Sequence, residues 1–132
     1  MWTARIDAVR DGGIAAISEA ILERWFAADF RNSEAVTPWR NMLVRTPLEG
    51  YIGCAQAIMG ADFRARTPAI ACPVLALVGS EDGSTPPGLV KSTAELCGAD
   101  FHVIENAGHL PCVERPEATA ALIKSFLDRT AA

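Results

Sequence analysis

Val74-Leu75-Ala76-Leu77-Val78 is a short, wholly apolar run set between Cys72-Pro73 and Gly79-Ser80-Glu81-Asp82. An apolar segment of this length, bounded by proline and glycine, reads as a strand buried on both faces of a parallel sheet. Thr85-Pro86 then opens a helix, with Leu89, Val90, Ala94 and Leu96 as its inner face and Gly98 as its stop. A second strand follows at Phe101 to Ile104, and Pro116 starts a terminal helix that turns Leu122, Ile123, Phe126 and Leu127 inward. The order strand, helix, strand, helix predicts two parallel strands joined by a right-handed crossover. Two strands leave an edge and part of a face uncovered. A cover is therefore expected: an N-terminal half of the same polypeptide, a separately expressed partner, or a second copy of the chain.

Upstream the periodicity changes from sheet to helix. Ile14, Ile17, Ile21 and Trp25 fall three and four apart, with Leu22 and Phe26 broadening the stripe, which predicts a helix from about Gly13 to Ala28. Asp11-Gly12-Gly13 is the stop of a shorter helix carrying Ile6 and Val9. Thr37-Pro38 and Thr46-Pro47 each set a capping hydroxyl before a first-turn proline, and Glu49 completes a capping box with Thr46. They predict helices near Pro38 to Val44 and Pro47 to Met59. Residues 1–66 thus read as an all-helical lid, and residues 67–132 as part of an α/β core.

In an open α/β sheet, reactive groups gather beyond the carboxyl ends of the strands. Asp82 lies four residues past Val78 and His109 five past Ile104, so neighbouring strands deliver both to one edge. A carboxylate there accepts a hydrogen bond from the imidazole δ nitrogen and fixes its tautomer, while the ε nitrogen takes a proton from a serine hydroxyl. Read singly, Asp82 is equally a turn residue in a Gly/Ser/Pro-rich loop and His109 a loop histidine. Their order after two correctly spaced strands favours the catalytic pairing. His102, inside the second strand, reads as structural. The serine is missing: none of Ser18, Ser33, Ser80, Ser84, Ser92 or Ser125 has glycine two residues before and two after, so no G-x-S-x-G turn occurs. The chain reads as the C-terminal half of an enzyme, inactive without a nucleophile from elsewhere.

Composition narrows the partners. The 132 residues carry 12 basic and 16 acidic side chains, a net charge of −4, with no basic stripe to favour nucleic acid or an anionic membrane. A small-molecule partner is the remaining expectation. Cys54, Cys72, Cys97 and Cys112 are scattered without a C-x-x-C pair, which argues against zinc or a redox motif and predicts four small buried hydrophobes in a reducing cytoplasm. No basic-then-apolar leader and no run near the length of a membrane span is visible, so a cytoplasmic location is expected.

The stretch from Pro73 to Pro116, with V-L-A-L-V-G-S-E-D, T-P-P and A-G-H-L-P-C-V-E-R-P, resembles the C-terminal portion of the α/β-hydrolase superfamily. More narrowly, W-x-x-R-I-x-x-V-R from Trp2, E-R-W-F at 23–26 and T-P-L-E-G-Y-I-G-C-A-Q-A-I-M-G-A-D-F at 46–63 are similar to 3-oxoadipate enol-lactonases. The resemblance runs from the lid to the terminal helix and corresponds to the second half of such an enzyme. It implies hydrolysis of 3-oxoadipate enol-lactone to 3-oxoadipate, a step of aromatic degradation through the β-ketoadipate pathway, with no metal and no organic cofactor. Asp82 and His109 would be the triad acid and base. Because that substrate bears a carboxylate, Arg24 and Trp25 of the lid motif become the candidates for gripping it. Arg24 is otherwise a solvated helix charge and Trp25 a lid-core aromatic. Arg5, Arg31, Arg40, Arg45 and Tyr51 are weaker candidates. Two other readings stay open: a related α/β-hydrolase acting on a carboxylester or a C–C bond, and a non-catalytic remnant serving as an interaction module.

Overall fold

The computed structural model describes residues 2–131. The chain divides into two compact units, Met1–Glu23 with Ala28–Asp62, and Arg24–Ala27 with Phe63–Ala132. The first is built from α1 (Trp2–Gly12), most of α2 (Ala15–Trp25), α3 (Ala28–Arg31), α4 (Thr37–Val44) and α5 (Leu48–Met59), with a 3-10 turn at Glu34–Val36. No strand occurs in it among the described residues. Gly13 adopts the left-handed conformation at φ 69° and its amide closes on Val9 O at 2.9 Å, so the helix ends at the expected glycine. Ile6, Val9, Ile14, Ile21, Leu22, Val36, Leu43, Ile52 and Ala55 are buried, at helical spacings that turn one stripe of each helix inward.

The second unit carries β1 (Leu75–Gly79), α6 (Pro87–Cys97), β2 (Asp100–Ile104), α7 (Pro111–Glu114) and α8 (Pro116–Thr130), with a 3-10 turn at Thr67–Ala69. The strands pair in parallel, Leu75 opposite Asp100 through Gly79 opposite Ile104, with α6 as the crossover between them. Gly98, left-handed at φ 63°, stops α6 as its position predicts.

Several local expectations need correction. Thr37 and Thr46 do not cap: α4 and α5 have no side-chain cap, and the Thr46 hydroxyl turns back to Met42 O at 3.4 Å. The proline φ already fixes the first turn, which frees the threonine. The cysteines are not core residues. Cys54, Cys72 and Cys112 are exposed and Cys97 is half-buried, all four as free thiols. Cys54 falls between the inward Ile52 and Ala55 of α5, and Cys72 lies in the loop before β1, so neither is on a buried stripe. Nor is the sheet buried on both faces within this chain. Leu75, Ala76 and Leu77 are half-buried and Val103 is exposed, and full burial is reached only toward the carboxyl ends, at Val78, Gly79 and Ile104. Leu89 and Leu96 of α6 and Ile123 and Leu127 of α8 are likewise exposed. A single strand pair has too little surface to cover both helices.

The tightest packing lies where β1 ends. A Cβ on Gly79 would sit 2.1 Å from the carbonyl oxygens of both Ala107 and Gly108, whereas a Cβ on Gly88 in α6 meets nothing within 4 Å. Gly79→Ala is expected to destabilise the fold by about 3 kcal/mol or more, because backbone must move to admit the methyl. Gly88→Ala should instead gain about 0.5–1 kcal/mol from the loss of glycine's unfolded-state freedom. Urea unfolding of the two variants checks this, and equal midpoints would contradict it.

Candidate active site

Parallel pairing continues past the strands as a ladder of loop contacts. Ser80 N donates to Ile104 O at 2.9 Å, Asn106 N to Ser80 Oγ at 2.9 Å and Glu81 N to Ala107 O at 2.9 Å. Asn106 takes a positive φ of 55°, a conformation asparagine tolerates better than most side chains. These bonds hold the loop after β1 and the loop after β2 side by side, and Asp82 and His109 project from them.

His109 Nδ1 lies 2.8 Å from Asp82 Oδ2. The Asp82 side chain is 4% exposed and the His109 ring 35% exposed, so the carboxylate is enclosed while the imidazole reaches the surface of the unit. Asp82 is held on every side. Its Oδ1 accepts from the amides of Ser84 and Thr85, each at 2.8 Å, and its Oδ2 also accepts from the Thr85 hydroxyl at 2.9 Å. Burial pushes its pKa up, but hydrogen bonds from His109, from the Thr85 amide and hydroxyl and from the Ser84 amide outweigh this, and the net shift is downward. The aspartate is thus an anion fixed beside an imidazole whose Nε2 is the nitrogen left to exchange a proton.

The structure therefore brings together the two residues expected to pair. Sequence reasoning missed Thr85 here. Read only as the opening of a helix, it lies before α6, which begins at Pro87 without a side-chain cap. Its hydroxyl instead touches both members of the pair, lying 3.2 Å from His109 Nδ1. A hydroxyl three residues after the aspartate in the same loop was the available signal. Glu114 was missed as well. It is a buried carboxylate whose Oε2 accepts from Gly108 N at 2.6 Å and whose Oε1 accepts from Ala27 N at 2.8 Å.

Arg24 and Trp25 approach the pair through their backbone. Gly83 N donates to Arg24 O at 3.2 Å and His109 N to Trp25 O at 2.8 Å, so the segment Arg24–Ala27 is threaded between the aspartate loop and the histidine loop. Glycine is required at position 108, and a side chain at position 83 would be tight. A Cβ on Gly108 would meet Trp25 O at 2.5 Å, and one on Gly83 would meet Arg24 Cα at 3.0 Å. Both side chains are half-buried, and the Trp25 ring stands edge-on to the buried Phe26, with centroids 6.5 Å apart.

The weaker candidates belong to the helical unit. The Arg5 guanidinium stacks 5.0 Å over Trp2, Arg31 donates to Glu23 O at 3.1 Å, and Arg40 forks onto Glu19 at 2.7 and 3.0 Å. Arg45 ends α4, and Tyr51 is half-buried on α5. His102 Nε2 is 3.0 Å from Asp100 Oδ1 on β2, and Arg129 of α8 binds the other oxygen of that aspartate. Among the described residues, no group of three or more His, Cys, Asp or Glu side chains could hold a metal ion, and no helix is long and apolar enough to cross a membrane.

Comparison with known proteins bears on this geometry. A profile described as "Alpha/beta hydrolase family" matches residues 2–122. The chain is 31% identical to 3-oxoadipate enol-lactonase 2 of Acinetobacter baylyi, over 97% of this chain and 49% of that protein. Among solved structures, it is similar to the enol-lactonase of Burkholderia xenovorans LB400 with a TM-score of 0.90 at 31% identity, covering 97% of this chain and 50% of the other. A thermophilic esterase from Thermogutta terrifontis matches with a TM-score of 0.86 at 32% identity, over 96% and 48%. The chain spans about half the length of these relatives.

Proposed function

The chain belongs to the alpha/beta hydrolase family and corresponds to the C-terminal part of its fold, and from that premise we propose that Asp82 and His109 are the acid and base of a serine-hydrolase relay that opens 3-oxoadipate enol-lactone. The observation that carries the reading is the 2.8 Å contact between the enclosed Asp82 carboxylate and His109 Nδ1. It leaves Nε2 able to accept a proton.

In the proposed reaction, a serine from a partnering hydrolase half attacks the lactone carbonyl carbon as its proton passes to His109 Nε2. Backbone amides of that half hold the oxyanion. The tetrahedral adduct collapses by breaking the ring C–O bond, and the expelled enolate takes the proton from the His109 imidazolium to become a ketone, which returns Nε2 to its neutral form. Water, deprotonated by His109, then attacks the acyl-serine carbonyl, and as the ester bond breaks His109 returns the proton to the serine oxygen and 3-oxoadipate is released. Asp82 remains an anion throughout and stabilises the imidazolium. No metal or organic cofactor enters these steps.

Residues 1–66 are the proposed lid region of such an enzyme, and Arg24 would fork onto the free carboxylate of the substrate while Trp25 packs against its carbon skeleton. The segment that carries them is bonded to both relay loops, which supports a shared site. The exposed apolar residues Leu89, Leu96, Val103, Ile123 and Leu127 support a cover for the sheet and its helices, and the nucleophile-bearing half is the proposed one. A cytoplasmic location and a place in aromatic degradation belong to the same reading.

Co-expression of the chain with an α/β-hydrolase half carrying G-x-S-x-G, followed by an assay for lactone opening, tests the proposal. Turnover is expected from the pair, with none from the 132-residue chain by itself. Serine-specific covalent labelling of the chain alone, with loss of turnover, would contradict it. The similarity to an esterase at 32% identity supports a second reading, hydrolysis of simple carboxylesters. Assaying the same pair on short-chain esters separates the two, because only the lactone reading requires a cation for a free carboxylate.

A further inference from the structure

Glu114 is 7% exposed and takes no part in the Asp82–His109 contact. Enclosing a carboxylate is costly unless its oxygens are satisfied, and here each oxygen accepts from a backbone amide. The two amides belong to different segments. Gly108, at 2.6 Å, directly precedes His109, and Ala27, at 2.8 Å, closes the Arg24–Ala27 segment. His109 N is bonded to Trp25 O in that same segment, and Gly108 packs against it too closely for any side chain. The one-turn helix α7 accounts for the reach: it brings Glu114, five residues after His109, back over the loop it has just left.

We propose that Glu114 is a positioning residue, whose carboxylate bolts the Gly108 peptide to the Arg24–Ala27 segment and thereby holds the His109 imidazole against Asp82. Its catalytic meaning rests on the relay assigned to His109 above. The same bolt fixes the backbone of Arg24 and Trp25, so the proposed substrate-gripping segment and the proton-transfer residue share one support. A carboxylate suits this task because it presents two acceptors. A glutamine at the same site offers one acceptor and turns its NH2 group toward a second donor.

The test is made on the full 132-residue chain by NMR. In Glu114→Gln, either the Gly108 or the Ala27 amide is expected to exchange with solvent at least about tenfold faster. The 15N shifts of the His109 ring should move away from a single Nδ1–H tautomer, while those of His102 stay in place as an internal reference. A lowered unfolding midpoint with the His109 ring signals unmoved would make Glu114 merely structural and overturn the proposal. If substitutions at Glu114 prevent folding, the wild-type chain still decides. A scalar coupling across the hydrogen bond from the Gly108 amide nitrogen to the Glu114 carboxyl carbon is expected, and its absence is equally fatal. None of these readouts needs turnover. Their failure removes the role of Glu114 and leaves the hydrolase reading standing, whereas absent lactone opening with the NMR signatures intact does the reverse.

Discussion

His109→Ala, in the chain completed by a serine-bearing half, is expected to lower kcat by about 10⁴-fold, the upper range for losing a positioned general base. The size follows from the arrangement. Nδ1 is committed to Asp82 at 2.8 Å, so the ring is a single oriented base, and an alanine leaves the serine proton without an acceptor. His102→Ala is the control. His102 lies on β2, and its partner is Asp100 at 3.0 Å, a half-exposed contact worth less than about 1 kcal/mol. It should lower the unfolding midpoint slightly and leave kcat in place. Comparable catalytic losses in the two variants would show that the imidazole beside Asp82 is not the base.

Asp82→Asn should cost a similar factor, about 10⁴ in kcat, with little change in substrate affinity. The amide matches the carboxylate in shape but cannot satisfy its partners in either orientation. With its oxygen toward the amides of Ser84 and Thr85, the NH2 group faces His109 Nδ1 and forces the proton onto Nε2, which then cannot accept one from serine. Rotated the other way, it meets two amide donors at positions now 2.8 Å from an acceptor. Stability should follow the same chemistry. The folded pKa of Asp82 is depressed below the ordinary 3.8, so its contribution is fully present above that value and is lost as pH falls from it through the lower folded value. The wild-type chain should therefore exceed Asp82→Asn in urea resistance at pH 7, and the gap should close in strong acid. A gap that widened in acid would reverse the assigned sign.

Both predictions concern a pairing that was largely legible in the sequence. Asp82 and His109 could be paired because strand ends are visible in sequence: an apolar run bounded by proline and glycine announces its own carboxyl edge, and two such runs in parallel deliver their loops to one place. Thr85 was read only as opening a helix, since a threonine before a proline has the same local signature whether it merely precedes the first turn or its hydroxyl binds an aspartate three residues earlier. Glu114 carried no local signal at all. Glutamate is ordinarily a surface residue, and only the folded chain brings the amides of Gly108 and Ala27 to it.

Periodicity and turn chemistry act over a few residues. They therefore determined by themselves the helical first half, the strand–helix–strand–helix order, the glycine stops at Gly13 and Gly98 and the edge at which Asp82 and His109 meet. What is buried depends on which surfaces come to face one another, and that was settled only in three dimensions. The cysteines expected inside lie outside, the apolar faces of α6, α8 and the sheet remain partly open, and Arg24–Ala27 leaves the helical unit to join the other. The reason in the last case is backbone hydrogen bonding: carbonyl and amide groups are the same in every residue, so no side-chain pattern could announce that those of Arg24, Trp25 and Ala27 would be satisfied by Gly83, His109 and Glu114.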